Sequence, residues 1–332
     1  MTDEFAFLQF SQKDDPDPDS GYTLDDNARA LMVTLSMEES SYPYACLFTR
    51  YLMQSQSKNG SWCNLFQQGQ FHHTFDSEDS VGRAFLACSM ATTCAWNDIA
   101  YCCKGMLQRA IPRLAEFTSP RGIAYSLIGL CKGNFSFLPE KYIYDLINLL
   151  AMKLLNLYDS KSSRDWKWFE DHLTYCNGIL PQALFAVYAF NGDKRCLKAA
   201  HESLGFLNEL LFAKGYLNIV GNEGWYQRGG KLPVWDQQPV DAASIIFACW
   251  EAYQAIGLSE YLDLAHLGHQ WYRGRNIHGL ALYNQQTGGC YDALTKQGVN
   301  LNQGAEAVLS LLLSDLLIEN AIIADLPEVI SS

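Results

Sequence analysis

Hydrophobic residues recur along the chain in long runs with helical spacing, and few segments alternate in the manner of strands. Six of these runs share one form, in which a polar or acidic start and small residues precede a long apolar stretch. The six runs begin at Asp25, Asp79, Arg121, Asn177, Asp241 and Asn302. Because each run is apolar on most faces, we predict six helices that are buried on all sides. Their Gly and Ala residues allow neighbouring helices to approach closely.

Amphipathic segments lie between these runs and carry charged residues on one side. They follow Tyr44, Ala100, Glu140, Asp193 and Ser259. This pattern predicts outer helices with one solvated face. A sixth outer partner is poorly defined, since only residues 319–330 (ENAIIADLPEVI) follow the last buried run.

The alternation of buried and surface helices predicts an all-α fold, an (α/α)6 toroid in which helical hairpins close into a ring. An open solenoid is the alternative, but solenoid repeats usually resemble one another more closely than these six runs do. We expect residues 1–332 to form one domain, with residues 1–20 as an extended N-terminal segment.

The connections between the predicted helices are asymmetric. Those that leave an inner helix are mostly short, whereas most of those that enter one are long and rich in Trp, Gly, Asn and Asp. In an alternating ring the entering loops lie on one face, at the N-termini of the inner helices, where partial positive charge favours carboxylates. We therefore expect the largest polar and aromatic cavity at this entering face.

Two pairs of adjacent carboxylates mark the first helix starts, at Asp25-Asp26 and Glu78-Asp79. Adjacent side chains on a helix diverge by about 100°, so both members of a pair cannot face the ring axis. Asp25 suits an N-cap. Asp26 lies three residues before Arg29, and Asp79 lies four before Arg83, which are the spacings of helical ion pairs. Capping and ion pairing are therefore the structural alternative to a catalytic role.

Converging carboxylates with aromatic loops are what glycoside chemistry needs, because one group protonates the leaving oxygen while another activates water or attacks the sugar. The predicted catalytic residues are Asp79, Asp241, Asp26 and Glu306. The predicted substrate-binding residues are Asp25, Arg29, Trp62, Glu78, Arg83, Trp168, Asp171, Trp225 and Asp292. We expect Trp62 and Trp168 on the cavity rim as sugar platforms, with core or loop-anchoring indoles as the alternative.

We favour Asp79 as the catalytic acid or base, because the loop before it carries Trp62, His72 and His73. The two histidines fit a ligand pair or proton shuttle, or ordinary surface and packing positions. Asp26 is expected to hold Arg29 and a sugar hydroxyl.

Three strings resemble motifs of a family of bacterial six-hairpin glycosidase-like proteins. They are Y-x-x-D-D-N-A-R at Tyr22–Arg29, EDSVGR from Glu78 and NQGAEA from Asn302. Members of that family occur alone or as a domain trailing a glycosyltransferase. The resemblance implies an (α/α)6 toroid that acts on or binds an oligosaccharide or polysaccharide, and it supplies no catalytic assignment. Since no glycosyltransferase domain precedes the motif, we expect this chain to work alone or with a separate glycosyltransferase.

Composition narrows the possible partners. The net charge of −12 leaves no basic surface for nucleic acid. Eleven scattered cysteines with no C-x-x-C pair favour buried reduced thiols, and neither a metal nor a cofactor is predicted. The N-terminus lacks the basic start and apolar core of a signal peptide, and the longest apolar stretch is interrupted by Asp315 and Glu319. We therefore expect a cytoplasmic protein without a membrane span.

Three other functions are alternatives to a glycoside hydrolase. A non-catalytic carbohydrate-binding or scaffold toroid is the main alternative. A terpene or prenyl cyclase also uses helical rings and G-x-W elements, but the prolines in residues 14–20 (DDPDPDS) disfavour a helical metal-binding motif. A sugar epimerase of this fold would rely on paired histidines on inner helices, and none of the six starts contains one.

Overall fold

The computed structural model describes residues 1–324 apart from residue 38, and of residues 322–324 it describes only the backbone. Eleven α-helices lie in this part of the chain. The odd-numbered helices are α1 Leu24–Leu35, α3 Glu78–Ala91, α5 Pro120–Lys132, α7 Ile179–Asn191, α9 Pro239–Ile256 and α11 Ala305–Ala324. The even-numbered helices are α2 Tyr42–Ser55, α4 Asn97–Leu114, α6 Glu140–Lys161, α8 Lys194–Leu211 and α10 Ser259–His269.

The odd-numbered helices form a closed inner ring. Each packs against the next along the chain, and α11 returns to contact α1. Every one of them begins within three residues of a predicted start. Each even-numbered helix packs outside an inner helix, as the amphipathic segments predicted. The structure is therefore an (α/α)6 toroid, and the prediction of a closed ring rather than an open stack is confirmed.

Small residues allow a close contact in this ring between α3 and α5. A Cβ atom at Gly82 would lie 2.8 Å from the carbonyl oxygen of Gly122, and one at Gly122 would lie 2.8 Å from the carbonyl oxygen of Glu78. A side chain at either position would force the helices apart. The close approach that the Gly and Ala content predicted is confirmed here.

The C-terminal part differs from the prediction. Residues 319–324, expected to start a sixth outer segment, continue the inner helix α11. The remaining residues of that segment, 325–330, lie outside the described part of the chain. No described helix combines the length and the apolar character that crossing a membrane requires. All eleven cysteines are free, and seven of them are buried.

Short antiparallel strands organise the long entering loops. They are β1 Ser11–Gln12, β2 Asp15–Pro16, β3 Tyr22–Thr23, β4 Leu65–Gln67, β5 Gln70–His72, β6 His172–Leu173, β7 Tyr226–Gln227, β8 Ala293–Thr295 and β9 Gly298–Asn300. Strand β4 pairs with both β3 and β5, and the other strands pair as β1–β2, β6–β7 and β8–β9.

The N-terminal segment therefore contains a small hairpin, β1–β2. It lies against the chain that enters α11, because the N–H of Ala305 donates to the carbonyl of Gln9 at 2.9 Å and the N–H of Gln303 donates to that of Lys13 at 2.8 Å. These contacts bring the N-terminal segment to the entering face of the ring.

Candidate active site

A cavity of about 860 Å³ opens at the entering face, between the starts of α1, α9 and α11, and the N-terminal segment forms part of its wall. Seven carboxylates line it: Asp17, Asp19, Asp25, Asp26, Asp236, Asp292 and Glu306. The only lysine or arginine in its described lining is Arg29. A more open groove of similar volume, about 900 Å³, runs along α8. The entering face thus holds a polar cavity with aromatic residues in its lining, at the position where the sequence leads us to expect one.

The start of α1 is capped by Thr23 and not by Asp25, so the predicted N-cap is wrong. The Thr23 hydroxyl accepts from the backbone N–H of Asp26 at 3.2 Å and donates to Asp26 Oδ2 at 2.5 Å. Asp25 is thereby free to bind elsewhere. It accepts from Arg83 at 2.6 Å and from the amide of Asn64 at 3.2 Å.

Arg83 therefore pairs across helices with Asp25, and the predicted ion pair within α3, between Asp79 and Arg83, is wrong. The Arg83 guanidinium also lies over the ring of Tyr125, 4.9 Å from its centroid. Both Arg29 and Arg83 border a smaller apolar cavity of about 220 Å³ along the ring axis.

Arg29 joins two of the predicted catalytic carboxylates. Its Nη1 lies 3.1 Å from Asp26 Oδ1, and its Nη2 lies 2.8 Å from Glu306 Oε2. The predicted pairing of Asp26 with Arg29 is confirmed. Arg29 and Asp26 are buried, whereas the Glu306 side chain is 45% exposed to the cavity. The guanidinium thus fixes an accessible carboxylate from α11 beside one from α1.

The adjacent carboxylates of α1 differ in their proton affinity. Burial raises the pKa of Asp26 to about 6, with the Glu306 charge adding to the effect while Arg29 and Thr23 oppose it. Burial also favours the neutral form of Asp25, but the charges of Arg83 and Arg29 outweigh it and lower the pKa of that carboxyl. Two adjacent carboxyl groups in one cavity wall therefore have pKa values shifted in opposite directions. Such shifted pairs are common at functional sites.

Asp292 lies directly before the β8–β9 hairpin and also faces the cavity. Its Oδ1 accepts the backbone N–H of Gly304 at 2.7 Å, which ties it to the entry of α11. Burial raises the pKa of Asp292; the Gly304 N–H opposes this shift and the nearby Glu306 charge adds to it. Asp292 and Glu306 are thus two partly accessible carboxylates in one cavity.

Two residues predicted to act at the site, Glu78 and Asp79, do not line this cavity. Asp79 is buried and accepts from the hydroxyl of Ser119 and, at 2.5 Å, from that of Tyr175. Glu78 accepts the backbone N–H groups of Thr118 and Ser119 at 2.6 and 2.5 Å. Both carboxylates therefore organise the entry of α5, and the expectation that Asp79 points into the cavity is wrong.

Asp241 is buried at 2% exposure and does not line the cavity either, contrary to the prediction. Its Oδ1 accepts the backbone N–H of Cys176 at 2.5 Å, and its Oδ2 has no hydrogen-bond partner among the described residues. Burial raises the pKa of Asp241 to about 7. This carboxyl is the most poorly solvated acid of the entering face.

The predicted rim positions of Trp62 and Trp168 are wrong, because both indoles are in the core at 1% and 0% exposure. Trp62 anchors its loop by donating from Nε1 to the carbonyl of Leu52 at 2.9 Å. Both indoles belong to entering loops rich in polar residues, and the return of each loop onto the ring buries them. Two exposed rings at the cavity, Phe10 and Phe75, were missed, since an isolated Phe in a loop gives no pattern.

Trp225 and Asp171 also lie outside the cavity lining. Trp225 is half-buried with its ring 6.2 Å from that of Tyr175. Asp171 is exposed and pairs with Lys161, and it lies 3.9 Å from Arg228. The structure therefore brings Asp25, Asp26, Arg29, Asp292 and Glu306 together at the cavity, and Arg83 is joined to this group through Asp25. The other predicted residues lie apart from them.

The opposite side of the entering face is filled by the loop before α7. There Arg121, 4% exposed, donates to Glu170 at 3.1 Å, to the Thr174 hydroxyl at 2.6 Å and to the Tyr175 carbonyl at 2.7 Å. Arg121 borders none of the described cavities. This arginine is enclosed by its own chain.

No protein-family model and no curated protein sequence matches the chain. Solved structures do match. A sugar epimerase from a ruminal bacterium has a TM-score of 0.74 at 10% identity, over 98% of this chain and 93% of that one. Cellobiose 2-epimerase from Bacillus thermoamylovorans has a TM-score of 0.74 at 10% identity, over 96% of this chain and 93% of that one. A GH76 α-mannanase from Bacteroides thetaiotaomicron has a TM-score of 0.61 at 13% identity, over 92% of this chain and 88% of that one. At these identities the likeness shows the fold alone, and it supports the toroid.

Proposed function

We propose that this chain is a glycoside hydrolase, with Asp292 as the proton donor and Glu306 as the general base or nucleophile. The observation that carries the proposal is that these two carboxylates share one cavity and that the pKa of Asp292 is raised. Glycoside hydrolysis requires such a pair, one protonated and one ionised. The solved structures with this fold include a sugar epimerase and an α-mannanase, which supports a carbohydrate substrate.

In this mechanism Asp292 transfers its proton to the glycosidic oxygen as the bond from that oxygen to the anomeric carbon breaks. Glu306 either removes a proton from the attacking water or attacks the anomeric carbon itself. The first route inverts the anomeric configuration and the second retains it, so the anomer of the first product distinguishes them.

Asp26 and Arg29 are positioning residues in this proposal. Arg29 holds the Glu306 carboxylate at 2.8 Å and is itself oriented by Asp26 at 3.1 Å. Asp79 and Asp241, which were predicted as catalytic, have no role in this mechanism.

The charge of the cavity indicates the class of sugar. Seven carboxylates face it against one arginine whose charge two of them already share. An anionic sugar would meet strong repulsion here, whereas a neutral sugar or one with a free amino group would not. The volume of about 860 Å³ lies within the usual range for small-molecule sites.

The test is incubation of the purified chain with three sets of oligosaccharides: neutral, amino-substituted and uronic. We expect release of reducing ends from the first or second set and none from the third, with products identified by mass spectrometry. Calorimetric binding without any release would contradict the hydrolase and favour a non-catalytic carbohydrate-binding toroid. A role beside a separate glycosyltransferase stays a prediction.

A further inference from the structure

A second cluster of chemically reactive side chains lies in the loop between α2 and α3. It consists of Cys63, His73 and Asp76, and we call it the C63 cluster. Its three ligand atoms, Sγ, Nδ1 and a carboxylate oxygen, all lie within 4.8 Å of one another. None of the three residues lines the 860 Å³ cavity. We propose that the C63 cluster is a binding site for a zinc ion.

The backbone of the loop brings the three side chains together. Cys63 is fixed beside α2, because its N–H donates to the carbonyl of Ser55 at 3.0 Å. A short 3-10 turn at His73–Phe75 places His73 and Asp76 on one side, with Nδ1 and Oδ2 at 2.6 Å. The other oxygen of Asp76 accepts the backbone N–H of Asn64 at 2.7 Å, which leaves Oδ2 directed at the cluster.

The geometry requires little change to admit the ion. Ligand atoms around a tetrahedral zinc are about 3.3 to 3.6 Å apart, as follows from bond lengths of about 2.0 to 2.3 Å. The His73 and Asp76 atoms, now 2.6 Å apart, would separate by about 1 Å. The sulfur lies within 4.8 Å of both and would approach by at most about 1.5 Å. The His73 side chain is 74% exposed and that of Asp76 is 30% exposed, so both have room to turn.

The three ligand atoms of the C63 cluster indicate which metal it would bind. One sulfur, one imidazole nitrogen and one carboxylate oxygen suit zinc, whereas calcium and magnesium prefer oxygen alone. Three protein ligands leave a fourth position for water. In the present arrangement a buried thiol faces a carboxylate, and a divalent cation would neutralise this concentration of acidic groups.

The site connects to the cavity through Asn64. This residue donates to Asp76 from its backbone and to Asp25 from its side chain, at 2.7 and 3.2 Å, and it lines the cavity. Phe75, between two of the proposed ligands, lines the cavity as well. Zinc would therefore hold one wall of the cavity in place without contacting the substrate.

The test is calorimetric titration of Zn²⁺ alone into full-length protein that a chelator has stripped of metal. We expect one ion per chain, and at least about a 100-fold loss of affinity in His73→Ala, since even outer-shell changes cost 10- to 100-fold. The control is His72→Ala, because the His72 imidazole contacts the Gln67 carbonyl at 3.1 Å and is not in the cluster. This variant should bind like the wild type.

Cobalt provides an independent readout of the thiolate. Co²⁺ added to the wild type should give sulfur-to-cobalt charge-transfer absorption, and Cys63→Ser should lack it. His73 is exposed, so His73→Ala keeps the fold even where the buried Cys63 substitution does not. Absence of Zn²⁺ binding by the wild type, or equal affinity in wild type and His73→Ala, would overturn the site.

Discussion

Arg29 and Arg121 are both buried near the starts of inner helices, and each binds one glutamate, yet their surroundings differ. Arg29 holds Glu306 at the edge of an open cavity, together with Asp26. Arg121 holds Glu170 together with Thr174 and Tyr175, and the loop before α7 encloses it. We call these regions the open side and the closed side.

The comparison shows that an arginine and carboxylates at a helix start do not by themselves make a catalytic site. The fold of the entering loop determines whether these groups are enclosed or accessible. Where it folds over the helix start, as at Arg121, a carboxylate, a hydroxyl and a backbone carbonyl of the loop bind the arginine, and the cluster stabilises the fold. Where it leaves a cavity, the same groups remain accessible to a substrate.

The largest effect is expected from Asp292→Asn on the open side. An amide cannot donate a catalytic proton, so kcat should fall by about 100- to 10,000-fold. In the wild type, activity should decline as pH rises through the raised pKa of Asp292, because the donor loses its proton. The profile of kcat/KM against pH checks both points, and an alkaline limb that persists unchanged in the variant would exclude Asp292 as the donor.

The second-largest effects are expected from a matched pair of variants, Arg29→Lys on the open side and Arg121→Lys on the closed side. A lysine keeps the charge but cannot make the forked contacts of either arginine. Each variant loses at least one charged hydrogen bond, worth about 1.5 to 3 kcal/mol. On the open side this should also lower kcat about 10- to 150-fold, whereas on the closed side only the free energy of unfolding should fall. Turnover and denaturant titrations of both proteins provide the test, and equal turnover losses would contradict the distinction.

Asp241→Asn tests the buried acid between the two sides. Its pKa in the folded state is about 7, above the ordinary aspartate value, so the folded protein binds the proton more tightly than the unfolded chain does. This contribution to stability is complete below about pH 4 and is lost as pH rises to about 7, with a slope of at most about 1.4 kcal/mol per pH unit.

The Asp241→Asn variant should lack this part of the pH dependence and should be more stable than the wild type at pH 8. Denaturant unfolding at a series of pH values measures the slope. An identical slope in the two proteins would show that another group is responsible.

The smallest effect is expected from Asp79→Asn on the closed side. Asparagine keeps the size, and its oxygen can accept from one of the Ser119 and Tyr175 hydroxyls while its amide nitrogen donates to the other. The loss should therefore be about 1 kcal/mol, the difference between charged and neutral hydrogen bonds. Turnover should be unchanged. A large loss of turnover with a normal melting temperature would return Asp79 to the catalytic role that its position in the sequence favoured.

The inner ring could be predicted because a helix that is buried on all sides is apolar all round, and polar starts then mark its first turn. The pair Asp26–Arg29 was predictable for a similar reason, since the spacing of three residues on one helix brings the side chains together. A contact within one helix can therefore be predicted from the sequence when no neighbouring element offers a competing partner.

Contacts between different helices and loops cannot be predicted in this way. Arg83 has a suitable partner four residues before it, but the neighbouring helix offers Asp25 at 2.6 Å. Trp62 lies in a polar loop, yet the loop returns to α2 and buries the indole. Asp292 and Glu306 share one cavity because the chain at the β8–β9 hairpin folds back on the entry of α11. The side chains that distinguish an open from a closed helix start therefore depend on how loops pack.

Glu306→Gln and Glu170→Gln test the central claim most directly, because each removes the charge of one glutamate that binds a buried arginine. Both proteins should be compared with the wild type in kcat, on whichever oligosaccharide the wild type cleaves, and in melting temperature. We predict a loss of at least about 100-fold for Glu306→Gln. For Glu170→Gln we predict turnover within about twofold of the wild type, a barrier change below about 0.5 kcal/mol, because Glu170 does not line the cavity. Full turnover by Glu306→Gln, or an equal loss in the two variants, would contradict the account.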